Sequence, residues 1–231
     1  MSETTTEKWL HLAGCAGVLL AAPWLLAWQN NHFARWGALT LVSLAAIANI
    51  LYQEWLLPRH PKTNLIILWL GLNLVLGVLA GLTSNWFMPV LVVLAAVLWL
   101  APPALARRPL EQQLLPVIAY GLAPFLLSIV LYTVAEGGLY LPALFWPLIL
   151  LLSLAANETM AGISSGPIRL TIAVATAAAI LAVGLAWAHL AILALILPVL
   201  ATLIGMMPQG KTYWSGGILT LASVVYCLLI H

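Results

Sequence analysis

Aspartate is absent from this sequence, and charged residues of any kind are scarce. All six acidic residues are glutamates, at positions 3, 7, 54, 111, 136 and 158, and charged residues make up only 6% of the 231 positions. A soluble globule of this length has too little polar surface to cover itself with such a composition, because ordinary domains carry about 25% charged residues. The missing aspartate also removes one of the two residue types that supply carboxylate ligands to Mg²⁺.

Cysteine, histidine and basic residues are few and scattered. Cys15 and Cys227 both lie inside apolar runs, which favours small buried side chains and indicates no disulfide framework. The five histidines show no spacing typical of a ligand set, so we expect no metal or haem site. Eight basic residues spread along the chain form no patch, which excludes nucleic acid as a partner.

Long apolar runs fill most of the chain, since hydrophobic residues make up 64% of it. About 20 apolar residues span the hydrocarbon layer as a helix, and the Leu- and Ala-rich runs lack the alternation of a membrane barrel. We therefore predict an all-α, polytopic transmembrane bundle of about nine helices, folded as a single domain over 1–231. The predicted helices are 9–28, 34–56, 64–83, 86–105, 114–134, 139–157, 168–187, 190–207 and 213–230.

The basic residues are distributed unequally between the two sides of this predicted bundle. Nine alternating helices place Arg35 alone on one side and seven basic residues on the side of the N-terminus, namely Lys8, Arg59, Lys62, Arg107, Arg108, Arg169 and Lys211. Positive residues accumulate on the cytoplasmic side of membrane proteins. We therefore expect a multi-pass protein of the cell inner (plasma) membrane, with the N-terminus in the cytoplasm and the C-terminus opposite.

Two predicted helices end in a similar sequence. Ser-Leu-Ala-Ala occurs at 43–46 and again at 153–156, and an asparagine follows each at Asn49 or Asn157. An internal duplication would relate helices 1–4 to helices 5–8, with halves at 1–112 and 113–231. Chance similarity in a chain this rich in Leu and Ala is the alternative.

Glutamates at two predicted helix ends are the strongest site candidates. Glu54 and Glu158 lie at the cytoplasmic ends of the second and sixth helices, and ionisable groups near hydrocarbon commonly face a cavity or a partner. We predict that both are catalytic or ligand-contacting residues of one pocket. The predicted ligand-binding residues around them are Asn49, Gln53, Asn157, Arg59, Lys62 and Arg169. Alternatively, each Glu reaches the lipid headgroups, and the cations only determine topology or contact anionic lipids.

Local motifs give this layout a family resemblance. The stretch 98–108 reads LWLAPPALARR, 119–124 reads AYGLAP, and Asn49 is followed by a basic segment at 59–64. These features, with polar segments after the second and sixth helices, resemble the UbiA-type intramembrane prenyltransferases. The stretch 157–171 can be laid without gaps on that family's second motif. The resemblance implies nine helices, an isoprenoid ligand, and Tyr120 among the ligand-binding residues.

The sequence departs from the family at the positions that bind the metal and the diphosphate. The family's two motifs hold Mg²⁺ and a prenyl diphosphate through aspartates, whereas Ile50 and Gln53 stand at the first motif's positions and Asn157, Met160 and Ser164 at the second's. Mg²⁺ prefers carboxylate oxygens in octahedral geometry, and these side chains supply none. We therefore expect no cofactor. We also expect the loss of Mg²⁺-dependent prenyl transfer, because that reaction requires the metal to stabilise the negative charge of the diphosphate.

Three functions follow from these observations. The first is a UbiA-like pseudoenzyme that binds a hydrophobic isoprenoid, quinone or pigment-like ligand, or serves as a subunit of a larger membrane protein complex. The second is an active prenyltransferase that uses Glu54, Glu158 and the basic residues, with Mg²⁺ as its cofactor. The third is a small transporter, which the proposed duplication alone favours.

Overall fold

Helices form almost all of the structure, a computed structural model that describes residues 5–30, 35–56, 63–105, 117–139, 144–186, 192–206 and 212–230. Within these ranges the predicted all-helical fold and the number of helices are confirmed. The nine helices are α1 (Thr5–Gln29), α2 (Trp36–Leu51 with a π-helical turn at Tyr52–Leu56), α3 (Thr63–Thr83), α4 (Met88–Leu105), α5 (a π-helical turn at Ile118–Leu122, then Ala123–Glu136), α6 (Phe145–Ala161), α7 (Gly166–Ala186), α8 (Ile192–Ile204) and α9 (Thr212–Ile230).

The length and apolar character of these helices are those of a membrane protein. Over the described residues, five helices are long and apolar enough to cross a bilayer, namely α1, α2, α3, α5 and α7. The other four are apolar over shorter described stretches. Large apolar side chains such as Leu68, Leu82 and Val174 are exposed on the outside of the bundle, which fits a lipid environment.

Successive helices pack side by side, and the ring closes because α9 packs against α1. Helices α1, α2 and α5 are about half buried along their apolar stretches, at 50%, 50% and 56%, whereas α3 and α7 are buried over only 17% and 22%. The first group therefore forms the inside of the bundle, and α3 and α7 form its outer face. One hydrophobic core joins residues of α1, α2 and α5 to those of α4, α6, α8 and α9.

Contacts at the two ends of α1 show that α1 and α2 run antiparallel. Trp9, near the start of α1, contacts Trp55 at the end of α2, with ring centroids 5.0 Å apart and the ring planes tilted by 50°. At the opposite end Trp24 lies 6.1 Å from Trp36, the first residue of α2. We call the end that contains the start of α1 the N-terminal end of the bundle. The ends of α2 and α6 and the start of α5 lie there too.

The sixth helix departs most from its predicted boundaries. It begins at Phe145 and ends at Ala161, four residues later than expected, because α5 also continues as far as Glu136. Gly137 ends α5 in a left-handed conformation with φ of 83°, which glycine adopts without steric cost. The shift places Glu158 one turn inside α6 instead of in the connection after it.

Candidate functional site

Four polar side chains from four helices meet at the N-terminal end of the bundle. Nε2 of His11 (α1) lies 3.6 Å from Oε1 of Glu54 (α2) and 3.7 Å from Oε1 of Glu158 (α6). The hydroxyl of Tyr120 (α5) donates a hydrogen bond of 2.6 Å to the same Oε1 of Glu54. We call these four residues the His11 cluster. The two glutamates singled out in the sequence therefore approach the same ring nitrogen of one histidine.

Cys15 extends the His11 cluster inward along α1. Its Sγ lies 3.7 Å from Nε2 of His11, because residues four apart share one face of a helix. The thiol is buried, at 4% exposure, while His11, Glu54 and Glu158 keep 14%, 18% and 13% of their side-chain surface accessible. The cluster thus has one face that a small group can reach and one face closed by the core.

Two π-helical turns carry Glu54 and Tyr120. The backbone N–H of Ala123 bonds to the carbonyl of Ile118, five residues back, instead of following the α-helical pattern. Pro124 explains this turn, because it has no N–H to give the carbonyl of Tyr120, four residues earlier. Glu54 likewise lies four residues before a proline in the sequence, Pro58. Such π-helical turns are frequent at functional sites, because they widen the helix and redirect its side chains.

A small cavity lies beside the cluster, between α1, α2, α4, α5 and α6. It has room for about one water molecule. Its polar walls are Gln53 and Tyr120, and the rest is largely apolar. The lining residues are Cys15, Leu19, Ile50, Gln53, Trp99, Ala119, Tyr120, Pro124 and Leu154.

The predicted amides do not join the glutamates, because each bonds to another part of the bundle. Asn49 and Asn73 of α3 exchange two hydrogen bonds, of 2.8 and 3.0 Å, and both are fully buried. Oε1 of Gln53 accepts a hydrogen bond of 2.5 Å from the indole N–H of Trp99. These contacts tie α2 to α3 and α4. The ligand-binding role of both residues stays a prediction.

Asn157 also holds helices together. Its amide nitrogen donates a hydrogen bond of 3.2 Å to the carbonyl of Ala201 on α8. Its carboxamide oxygen is buried, has no hydrogen-bond partner among the described residues, and faces Gly205. The side chain thus fills the space that a larger residue at position 205 would occupy.

The predicted cations lie partly outside the described residues. Arg59 and Lys62 fall in the segment 57–62, of which the structure describes nothing. Nε of Arg169 donates to the carbonyl of Ile163, in the connection after α6. Of the three predicted cations, therefore, only Arg169 lies in the described residues, and its side chain binds a backbone carbonyl.

Sequence reasoning missed the residue at the centre of the cluster. His11 showed no paired spacing with another histidine, yet it has Cys15 four residues later on the same face. A signal was present, since the predicted alternation of the helices places His11, Glu54 and Glu158 on the same side of the bundle. Trp99 and Asn73, which bond to Gln53 and Asn49, carried no such signal, because both lie inside apolar runs.

The chemistry that the His11 cluster can perform is hydrogen bonding and ion pairing. An imidazole donates a hydrogen bond from its ring N–H, and a carboxylate accepts hydrogen bonds at both oxygens. Over the part of the chain that the structure describes, no three His, Cys, Asp or Glu side chains are arranged to hold a metal ion. Comparison of the chain with protein-family models, with curated proteins and with solved structures gives no match.

Proposed function

We propose that this protein binds a hydrophobic molecule of the bilayer, isoprenoid, quinone or pigment-like, with the polar head of that molecule at the His11 cluster. The observation that carries the proposal is the convergence of Glu54 and Glu158 on His11, from three different helices. Ionisable groups at membrane depth are costly to place there and commonly mark a ligand or ion path. The partly accessible face of the cluster is where a head group would enter.

The layout of the chain supports the same proposal. The nine helices of the described ranges, with glutamates at the ends of α2 and α6, agree with the UbiA-type arrangement that the motifs resemble. In this proposal the N-terminal end faces the cytoplasm, since the basic residues of the sequence accumulate there. The absence of aspartate supports binding without Mg²⁺-dependent transfer, either by the protein alone or as a subunit of a membrane complex.

Purification tests the proposal without presuming the ligand. The protein is extracted in mild detergent, and the organic extract is analysed by mass spectrometry and absorbance for a molecule present at about one per chain. We expect such a molecule in the native protein and its loss in the Glu54→Gln and His11→Ala variants. The matched control is Glu136→Gln, because Glu136 lies at the opposite end, where it accepts a hydrogen bond from Asn30. Equal retention in all variants would contradict the assignment to this cluster.

A second candidate function is prenyl transfer. The observation that favours it is again the approach of Glu54 and Glu158, since carboxylates from α2 and α6 occupy the ends where the resembled family binds its metal. Transfer from radiolabelled farnesyl diphosphate to membrane lipid, measured with and without Mg²⁺, tests it. Transfer that requires Mg²⁺ and disappears in Glu158→Gln would support this candidate over simple binding.

A further inference from the structure

We propose that the small cavity between α1, α2, α4, α5 and α6 is a binding site for one buried water molecule. Gln53 donates a hydrogen bond to this water, and the water donates to the oxygen of Tyr120 or the sulfur of Cys15, which line the same cavity. The water is separate from the bilayer ligand proposed above, and its binding does not depend on that ligand. Three features of the cavity support it: an unused donor, the acceptors in its wall, and its size.

Gln53 brings an unused hydrogen-bond donor to the cavity wall. Its side chain lines the cavity and is about nine-tenths buried, at 9% exposure. Its Oε1 accepts a hydrogen bond from the indole N–H of Trp99, which fixes the carboxamide and leaves the NH₂ group for another partner. Among the described residues no acceptor bonds to that nitrogen. Since a buried N–H without an acceptor is costly, we expect its acceptor to be a small molecule in the cavity.

Two other side chains of the wall can accept a hydrogen bond in return. The hydroxyl of Tyr120 donates its only proton to Glu54, so its oxygen can still accept. Sγ of Cys15 is a weaker acceptor. A water molecule both accepts and donates, so it satisfies Gln53 and one of these acceptors together. A cation would face the N–H groups of Gln53, and an anion would face the acceptors, so neither matches the wall as well.

The size of the cavity restricts its occupant. It has room for about one water molecule, so a lipid head group does not fit. Most of the other lining residues are apolar, among them Leu19, Ile50 and Leu154, and they enclose the water without competing for its hydrogen bonds. Buried waters typically bond to polar groups that the protein itself leaves unsatisfied, as Gln53 is here.

The water connects two parts of the bundle. Trp99 and Gln53 form a hydrogen-bonded pair between α4 and α2. Tyr120 belongs to the His11 cluster, and Cys15 contacts the histidine of that cluster. A water between Gln53 and either of these residues therefore links α4 to the His11 cluster through hydrogen bonds, which helps to fix the position of the cluster.

A crystal structure grown in a lipidic phase, at a resolution that shows ordered water, tests the proposal directly. We expect one compact density peak in the cavity, about 2.7–3.2 Å from Nε2 of Gln53. The same peak should lie within hydrogen-bonding distance of the oxygen of Tyr120 or the sulfur of Cys15. A cavity without a peak, or an elongated peak that belongs to lipid or detergent, would overturn the proposal. A hydrogen bond from Nε2 of Gln53 to a protein acceptor would overturn it too.

Nuclear magnetic resonance in detergent provides a second test, on protein labelled with ¹⁵N in its glutamine side chains. The signal that disappears in Gln53→Met identifies Gln53. We expect its NH₂ protons to show a through-space contact with water, which differs in sign from chemical exchange.

Two matched variants link this contact to the cavity. Ala119→Val should abolish it, because Ala119 lines the cavity and the added methyl groups take the place of the water. Ala178→Val, the same change at an exposed position on the outer face of α7, should leave it unchanged. Absence of the contact in the native protein, or its survival in Ala119→Val, would overturn the proposal.

Discussion

At the scale of single residues, His11 offsets the repulsion between the carboxylates of Glu54 and Glu158. Glu54 and Glu158 each lie within 3.7 Å of its Nε2, so the two carboxylates share one imidazole as a partner and are near each other. Nearby like charges are costly where water is partly excluded, and a protonated imidazole offsets that cost. The histidine therefore has a structural role in the cluster in addition to its proposed contact with a ligand.

Replacing His11 should reveal this role as an energetic coupling. His11→Ala is expected to lower the free energy of unfolding by roughly 1–3 kcal/mol, because the two carboxylates lose their shared partner. The loss should be smaller in a Glu158→Gln background, where only one carboxylate remains. A double-mutant cycle measured by titration with sodium dodecyl sulfate gives the difference. Equal losses in both backgrounds would show that His11 does not couple the two glutamates.

Gly205 is a second position where one residue decides a contact. A Cβ built there would overlap the carboxamide of Asn157, which is fully buried against α8. We expect Gly205→Ala to lower stability by about 1–3 kcal/mol, because Asn157 must move and lose its hydrogen bond to Ala201. Thermal unfolding in detergent measures the effect.

The control for this variant is Gly71→Ala on α3, where an added Cβ meets nothing within 4 Å. Gly71→Ala should leave the midpoint of thermal unfolding unchanged or raise it, since alanine is the better helix former. A similar change in both variants would contradict the proposed overlap.

At the scale of helices, α1 and α9 pack in direct contact at two glycines, Gly14 and Gly216. A Cβ on Gly216 of α9 would lie 2.9 Å from the Cα of Gly14 on α1, so the two backbones are in direct contact. Thr220 adds a hydrogen bond of 3.4 Å to the carbonyl of Gly14. Small residues allow such close approach between membrane helices, which associate chiefly through packing.

Gly216→Ala should therefore push α9 away from α1 and lower stability by about 1–3 kcal/mol. The next residue provides a matched control, because a Cβ on Gly217 would meet nothing within 4 Å. Thermal unfolding in detergent should separate the two variants, with Gly217→Ala close to the native protein. If Gly217→Ala were as destabilised as Gly216→Ala, the helix propensity of the site, and not the backbone contact, would explain the loss.

The two π-helical turns determine where the side chains of Tyr120 and Glu54 lie in the site. Pro124 interrupts the α-helical pattern at Tyr120, and the resulting turn presents the hydroxyl of Tyr120 to Glu54, which stands on a π-helical turn of its own. The prolines are visible in the sequence, but a proline in a helix also permits a kink or an end. The sequence therefore could not predict that both helices would widen at the same level.

At the scale of the whole molecule, the alternating direction of the helices can be measured directly. Ser84, between α3 and α4, and Ser164, between α6 and α7, are both exposed and lie at opposite ends of the bundle. In a variant with Cys15 and Cys227 replaced by alanine, we expect Ser84→Cys to react with a membrane-impermeant maleimide in intact cells. Ser164→Cys should react only after the cells are opened, because the proposed orientation places the positively charged side in the cytoplasm.

Each cysteine variant serves as the control for the other in this experiment. Reaction of both in intact cells, or of neither, would contradict the alternating arrangement of the helices. Reaction of Ser164→Cys alone would keep the arrangement and reverse the proposed orientation.

Much of the fold could be predicted from the sequence, because each helix carries its own signal in an apolar run of the right length. The boundaries of α6 were predicted poorly, since the choice between Leu139 and Phe145 as its start depends on how far α5 extends before Gly137. The site was predicted in part. The position of Glu54 and Glu158 near one end follows from alternation, whereas the partners of Asn49, Gln53 and Asn157 depend on helices far away in the chain.

The sequence by itself determined that this chain is a helical protein with the apolar character of a membrane protein, and that Glu54 and Glu158 lie at one end of the bundle. Both conclusions need only the length of apolar runs and the alternation of their direction, which are local properties. Only the tertiary structure decided that His11 contacts both Glu54 and Glu158 and that Asn49 bonds to Asn73 instead. The rotation of each helix about its axis selects these partners, and that rotation is set by packing among all the helices at once.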